Sequence, residues 1–180
     1  MITHFFYRQG LYGHIGEVET TVEPGLGIHI VGLPDTEARE VLLQVVTAML
    51  SCGYHIPGKR ITITVTGFGN YSREVCLGIA VSIIEATGQG TSRFPGAFYC
   101  GELGLDGSVR DYSAGLSRCA IKGRDPISPW ATCLCAWASL SPVVYPNESG
   151  EGSDDVRENF IPIKHLKDVF VAPRPRDLFD

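Results

Sequence analysis

Two neighbouring segments with different hydrophobic periods constrain the fold of this chain more than any other feature. Arg60–Thr66 reads RITITVT, in which three β-branched apolar residues alternate with threonines. That period of two predicts a strand with one apolar face. Residues 72–87 are instead apolar around nearly the whole helical circumference, which is typical of a buried helix. Together the two segments predict a mixed α+β domain.

Alternation and turn residues predict three further strands before this pair. Residues 2–8 are compatible with a first strand. Residues 17–23 place Val18, Thr20 and Val22 on one face and three glutamates on the other. Pro24-Gly25 then marks a turn. A strand over residues 26–32 follows directly, so the pair on either side of the turn is predicted to form a hairpin.

The segment after the third strand predicts an amphipathic helix. Asp35 is a plausible N-cap, because its carboxylate can accept hydrogen bonds from the first backbone N–H groups. Gly53 is suited to end the helix. Farther along, residues 99–105 and 107–110 predict a short hairpin. The apolar stripe of the helix consists of Ala38, Val41, Leu42, Val45, Val46, Met49 and Leu50.

The C-terminal third of the chain has weaker patterns. Residues 113–122 are compatible with a short helix. Residues 123–152 are rich in Pro, Ser, Trp and Cys without a clean period, and they fit poorly as either helix or strand. Residues 160–163 predict an edge strand, residues 164–170 a closing helix, and residues 173–180 a tail.

Charge and composition exclude some classes of function. The formal net charge is −5, which disfavours direct binding to the phosphate backbone of nucleic acids. The first thirteen residues lack the basic and apolar regions of a secretory signal, so a cytoplasmic location is expected. Residues 126–147 carry no charge, but four prolines interrupt them, which disfavours a membrane span. The six cysteines are predicted to be reduced thiols.

The familiar catalytic and metal-binding patterns are missing from the sequence. There is no phosphate-binding P-loop, and residues 67–69 are interpreted as a strand-to-helix turn. The five histidines are scattered, and Cys133 and Cys135 lack the spacing of a zinc site. We therefore predict no catalytic constellation, no metal site and no cofactor. Glu102 lies in an apolar context, which leaves open an outward-facing carboxylate or a functional one.

Three segments in register resemble a known family. They are IHIVGLPDTEAREV (residues 28–41), GYHIPGKRITITV (residues 53–65) and GELGLDGSVR (residues 101–110). Together they resemble the N-terminal, subunit ChlI-like domain of the magnesium-chelatase-like AAA+ proteins, a bacterial family linked to competence and DNA branch migration. The resemblance implies a fold like ribosomal protein S5 domain 2, which Lon-type proteases share. It also implies one domain over residues 1–172, divergent at 123–152.

The sequence departs from this family in three respects. Family members continue into an AAA+ ATPase module, but these 180 residues contain no Walker motif. The family's Asp-Leu-Pro before the buried helix is missing. A Lon-type Ser-Lys dyad would fall near Ser72 or Arg73 and near Ser117, and the next lysine is Lys122. Residues 123–152 do not match the family, through either divergence or a reading-frame disturbance.

The leading functional hypothesis is a non-catalytic accessory or assembly domain that binds a protein partner or another copy of itself. The alternatives are a Lon-like serine hydrolase with a displaced dyad, and a regulator of a partner helicase in DNA processing. A purely structural interpretation of the GLPD segment (residues 32–35) is that Gly32 and Pro34 shape a turn while Asp35 caps the helix. The candidate interface residues are Gly32, Leu33, Pro34 and Asp35, with Gly101, Glu102 and Leu103 as a second element.

Overall fold

A mixed seven-stranded sheet organises the computed structural model, which describes residues 1–9, 12–67, 73–111, 141–146 and 159–171. The strands are β1 (Ile2–Gln9), β2 (Tyr12–Glu23), β3 (Gly27–Val31), β4 (Arg60–Thr66), β5 (Phe98–Tyr99), β6 (Glu102–Leu103), β7 (Val109–Arg110), β8 (Val143–Pro146) and β9 (Phe160–Ile163). In the sheet they lie in the spatial order β3-β4-β2-β1-β5-β8-β9, and β6 and β7 form a separate two-stranded hairpin. The α+β class predicted from the sequence is confirmed.

The predicted hairpin between β2 and β3 is wrong. Strand β4 lies between them, antiparallel to β2 and parallel to β3. Helix α1 (Asp35–Ser51) connects β3 to β4, and a helical crossover returns the chain parallel to the strand it left. The β2–β4 register also places Glu23 opposite Arg60, a cross-strand pair of opposite charges.

Helix α1 follows the predicted apolar stripe over most of its length. Val41, Val45, Ala48 and Met49 are buried. Gly53 follows the helix with φ +82°, as expected of a residue that ends it. Leu50 belongs to the predicted stripe, but it is 55% exposed, because it lies two turns after Leu43 on the solvent-facing side of the helix, where Leu43 is 70% exposed.

Helix α2 (Val75–Ala86) is the buried helix that the sequence predicted. It packs against β1, β2 and α1, and every residue from Val75 to Ile84 is buried. Its one buried hydroxyl, on Ser82, donates to the Thr20 hydroxyl at 2.7 Å, so the polar group is satisfied inside the core. The core therefore lies between α2 and the first strands of the sheet.

The far half of the sheet contains a strand that the sequence did not reveal. Val143–Pro146 falls within the segment judged unlike helix or strand, yet it forms β8, buried and parallel to both β5 and β9. Strand β9 is an edge strand, as predicted.

The closing helix predicted over residues 164–170 is wrong in extent. Only a 3₁₀ helix forms, Leu166–Val169. The Asp168 carboxylate accepts from the backbone N–H groups of Lys164 and His165, which fixes the start of this turn. Phe170 then bridges to Ser92 in extended conformation, which ends it.

Several expectations fall outside the ranges that the structure describes. They include the short helix at 113–122, most of the segment 123–152 and the tail at 173–180. Among the helices within the described ranges, none is long and apolar enough to cross a bilayer. Cys52, Cys76 and Cys100 are buried inside the fold.

Candidate functional site

The GLPD turn joins edge strand β3 to α1 and is fixed by close packing. Gly32 has φ +97°, and a side chain there would overlap the carbonyl oxygen of Val65 in β4. Leu33 packs half-buried against the core. The carbonyl of Pro34 accepts the N–H of Ala38 at 2.8 Å, which starts the helix. Gly32 and Pro34 therefore shape the turn, as the purely structural interpretation of this segment predicts.

The predicted role of Asp35 as N-cap is wrong. The helix begins at Asp35 itself, and Pro34 occupies the cap position without any side-chain cap bond. Asp35 thus lies in the first turn, where a carboxylate favours the positive end of the helix dipole. It is exposed, and no hydrogen bond or ion pair to its side chain occurs in the part of the chain that the structure describes.

The second predicted element faces mainly inward. The side chain of Leu103 is 1% exposed, and its carbonyl accepts from the side-chain amide of Gln44 on α1. Gly101 lies close to Pro146, where a side-chain carbon would come 3.0 Å from the proline ring. Glu102 is half-buried, so it is the member of this element whose side chain is partly open to solvent.

The two predicted elements do not form one cluster. Residues 32–35 precede and begin α1, whereas Leu103 docks at Gln44, nine residues farther along the same helix. At 1.5 Å per residue this places them roughly 14 Å apart along the axis. Nine residues are also two and a half helical turns, so the two positions lie on opposite sides of α1, and a partner in contact with both must reach around the helix.

Glu102 lies near a second carboxyl group at the start of α2. Burial is the main cause that raises the pKa of Glu74, and the charge of Glu102 raises it further. Burial also raises the pKa of the Cys76 thiol to about 12, with added contributions from Glu102 and Glu74. This region therefore holds a carboxyl group that protonates more readily than usual, together with an inert thiol.

Replacing Glu74 with glutamine is expected to stabilise the protein at neutral pH. The folded-state pKa of Glu74 is raised above its ordinary value of 4.5, mainly by burial, so folding favours the protonated form. Stability from this group is present at low pH and is lost as the pH rises through the raised pKa. Urea unfolding of both proteins across pH 4–8 should show a gain for Glu74→Gln that grows with pH. A gain that is constant with pH would contradict this account.

A cleft opens where the C-terminal ends of both helices meet the 3₁₀ helix. It encloses about 860 Å³ and is bordered by Cys52, Tyr54, Gln89, Lys167 and other residues. Gln89 holds its rim, because its side-chain amide exchanges two hydrogen bonds with the backbone of His55, each 2.8 Å. The loops that follow α1 and α2 are thereby tied together.

Cys52, at the wall of this cleft, lies beside the imidazole ring of His165. The Cys52 sulfur is 4.0 Å from His165 Nδ1. His165 Nε2 lies 3.0 Å from the carbonyl oxygen of Asp106, so Nε2 is the donor, and Nδ1 accepts the N–H of Lys167 at 3.3 Å. Burial raises the pKa of the Cys52 thiol. A protonated thiol beside an already engaged nitrogen is a weak nucleophile, so the pair serves packing rather than catalysis.

Sequence reasoning missed this pair and the Glu74–Glu102 proximity. Cys52 and His165 are 113 residues apart, and neither belongs to a spaced pattern. The remaining candidates for a dyad or a metal site fall outside the described residues, namely Ser72, Ser117, Lys122, Cys133 and Cys135. Within the described ranges, no group of three or more His, Cys, Asp or Glu side chains could hold a metal ion.

Comparison with known proteins identifies the family. The family model described as subunit ChlI of Mg-chelatase matches residues 18–125, more than half of the chain. The chain belongs to the ChlI family. All three segments that carried the resemblance lie inside the matched range, including both elements of the candidate interface, so the family assignment made from the sequence is confirmed.

Relatives of this ChlI-family chain occur in several bacteria. It is 33% identical over 108 residues to the uncharacterized protein YifB of Salmonella typhimurium, and 32% identical over 108 residues to YifB of Escherichia coli. An uncharacterized protein of Mycobacterium tuberculosis is 32% identical over 106 residues. These alignments cover 56–57% of this chain but 21% of each relative. The chain therefore spans about a fifth of the length of the relatives it matches.

Proposed function

We propose that this ChlI-family chain is a non-catalytic accessory or assembly domain of a magnesium-chelatase-like AAA+ system. It acts by protein–protein contact, with an AAA+ ATPase module or with like chains as its partner. The fold we propose for it is that of ribosomal protein S5 domain 2. A ChlI-family match over more than half of the chain supports this assignment.

The observation that carries the proposal is the exposed carboxylate of Asp35, which has no bonding partner among the described residues and lies on a tightly packed turn. The helix start excludes capping as the role of this aspartate, and although the helix dipole favours a carboxylate in the first turn, the side chain stays exposed to solvent. Gly32 and Leu33 hold the turn against β4 and the core, so the backbone at the exposed Asp35 is held in place. A surface charge on a fixed backbone suits recognition, because the turn loses little entropy when a partner binds.

Glu102 provides a second contact in the same proposal. It is half-buried, and Leu103 anchors it to the middle of α1. Because Gln44 lies two and a half turns after Asp35, a partner bound at Asp35 would reach Glu102 with a second segment that passes around α1. Both are acidic, so the surface that fits them carries basic side chains.

DNA processing is the process we propose for this system, as in the competence-linked family that the sequence resembles. The chain itself would not contact DNA, since its net charge is −5. Its role would be to position or regulate the ATPase that does.

Removing the Asp35 carboxylate is expected to weaken partner binding at least about tenfold, the loss typical of one interfacial charge pair. The tagged chain would be immobilised and titrated with a purified AAA+ module from a family member, for Asp35→Ala, Glu102→Ala and the wild type. Glu40→Ala is the matched control, because it removes an exposed carboxylate from the same helix. Unchanged affinity and unchanged oligomeric state in both variants would count against the proposal.

A further inference from the structure

Strand β3 forms an open edge of the sheet. It pairs with β4 on one side, and no hydrogen bond reaches its other side from the residues that the structure describes. Alternate backbone N–H and C=O groups along that side are therefore available for pairing. Natural proteins usually protect such an edge with lysine, proline or an inward charge. The sequence of β3, GIHIV, contains none of these.

The side chains of this edge are suited to contact. Leu26 and Val31, at its two ends, are 77% and 54% exposed. Ile28 and Ile30 are half-buried on the face that packs against the core, so they keep apolar area that a neighbouring strand could cover. The edge therefore offers both backbone groups and apolar surface to an added strand.

Charges of opposite sign lie at the two ends of the edge. At its N-terminal end, Arg60 is the register partner of Gly27, and Lys59 precedes it. At its C-terminal end, Asp35 and Glu37 occupy the first turn of α1. All but the half-buried Glu37 are exposed, and none of these four side chains forms an ion pair in the described part of the chain. Glu23 lies opposite Arg60 and offsets part of its charge, so Lys59 dominates the basic end.

We propose that two copies of this chain associate by antiparallel pairing of their β3 strands about a two-fold axis at His29. This pairing rests on the proposed assembly function and specifies its surface. The register places Ile28 opposite Ile30 of the second copy, on the core-facing side of the joined sheet. It places Val31 opposite Gly27 of the second copy, which leaves room for the valine side chain.

The charges select the antiparallel arrangement. A two-fold axis at His29 brings the basic end of each strand to the acidic end of the other, twice over. A parallel arrangement would set like charges side by side at both ends. Because each strand contributes only five residues, the contact is small, and we expect a weak, concentration-dependent dimer.

Charge reversal at either end tests the pairing. One variant carries Lys59→Glu and Arg60→Glu, so both ends of its edge are acidic. The other carries Asp35→Lys and Glu37→Lys, so both ends are basic. Sedimentation velocity from about 1 to about 300 µM, a range that brackets a weak interface, should show each variant self-associating at least about tenfold more weakly than wild type. An equimolar mixture of the two should regain association, since every end then meets its opposite.

A second pair of variants separates the edge from the rest of the surface. Val31→Lys places a lysine on the edge and should abolish the dimer, whereas Leu43→Lys makes the same change at a 70% exposed site on α1 and should not. Thermal unfolding of all variants checks that they fold. A wild type that stays monomeric throughout, or a dimer unaffected by both charge reversals, overturns the pairing.

Different experimental results would contradict the β3 pairing and the proposed AAA+ partnership. If the wild type is monomeric but still binds the AAA+ module through Asp35, only the β3 pairing is wrong. If the charge-reversal pair behaves as expected while the AAA+ module is not bound, the pairing stands and the AAA+ partnership is wrong.

Discussion

Replacing Gly32 with alanine is expected to lower the free energy of unfolding by at least about 3 kcal/mol, because two separate costs combine. The backbone at Gly32 has φ +97°, where a side chain is strained by about 1–2 kcal/mol. In addition, the new methyl group would overlap the carbonyl oxygen of Val65. That oxygen belongs to the backbone of β4, so the overlap can be removed only if β3 and β4 move apart. Urea unfolding should show a lower midpoint with an unchanged slope.

Gly53→Ala is the matched control for this substitution. Gly53 has a similar φ of +82°, but a side-chain carbon there would meet no atom within 4 Å. Gly53→Ala should therefore lower the free energy of unfolding only by the backbone strain, about 1–2 kcal/mol. Equal losses in the two variants would show that the close approach of β4 at Gly32 contributes nothing to stability.

The local elements of this fold could be predicted because their patterns are complete within short windows. Arg60–Thr66 alternates without interruption, and the observed strand has the predicted bounds. Helix α2 is apolar on all sides and is buried, as predicted. In both cases the burial of a residue follows from its position within its own segment, so no distant contact is needed to infer it.

Strand order could not be predicted, because it depends on segments that are distant in sequence. The residues on either side of Pro24-Gly25 fit a hairpin, and no local pattern indicates that β4 lies between β2 and β3. Strand β8 was missed for a related reason. A strand that is buried between two parallel neighbours has no solvent face, so Val143–Pro146 shows no alternation.

The candidate site likewise has parts that the sequence predicts and parts that it does not. The GLPD turn was located correctly, but the capping role of Asp35 failed because capping depends on a single residue of the helix start. Leu103 was grouped with Glu102 as surface, although alternation within one short strand sends their side chains to opposite sides. The Glu74–Glu102 and Cys52–His165 proximities exist only after tertiary packing.

A second glycine tests the packing of the core rather than the backbone. Gly16 in β2 is the register partner of Phe5 in β1, and a methyl group at Gly16 would overlap the far end of the Phe5 ring. Phe5 is fully buried, so the ring cannot swing into solvent. Gly16→Ala is therefore expected to cost about 1–3 kcal/mol through overpacking, although its φ allows any residue.

A double-mutant cycle with Phe5→Leu identifies the cause. The ring atoms that the new methyl group would strike are absent in leucine, so the Gly16→Ala change should cost little more in that background. Phe5→Leu alone also lowers stability, because it removes buried ring atoms, and the double variant should be more stable than additivity predicts by about 1 kcal/mol or more. Gly58→Ala, where the nearest atom is 3.9 Å away, should show no coupling to Phe5→Leu. Strict additivity at Gly16 would mean that β1 and β2 separate to admit the methyl group, and that the ring over Gly16 does not fix their spacing.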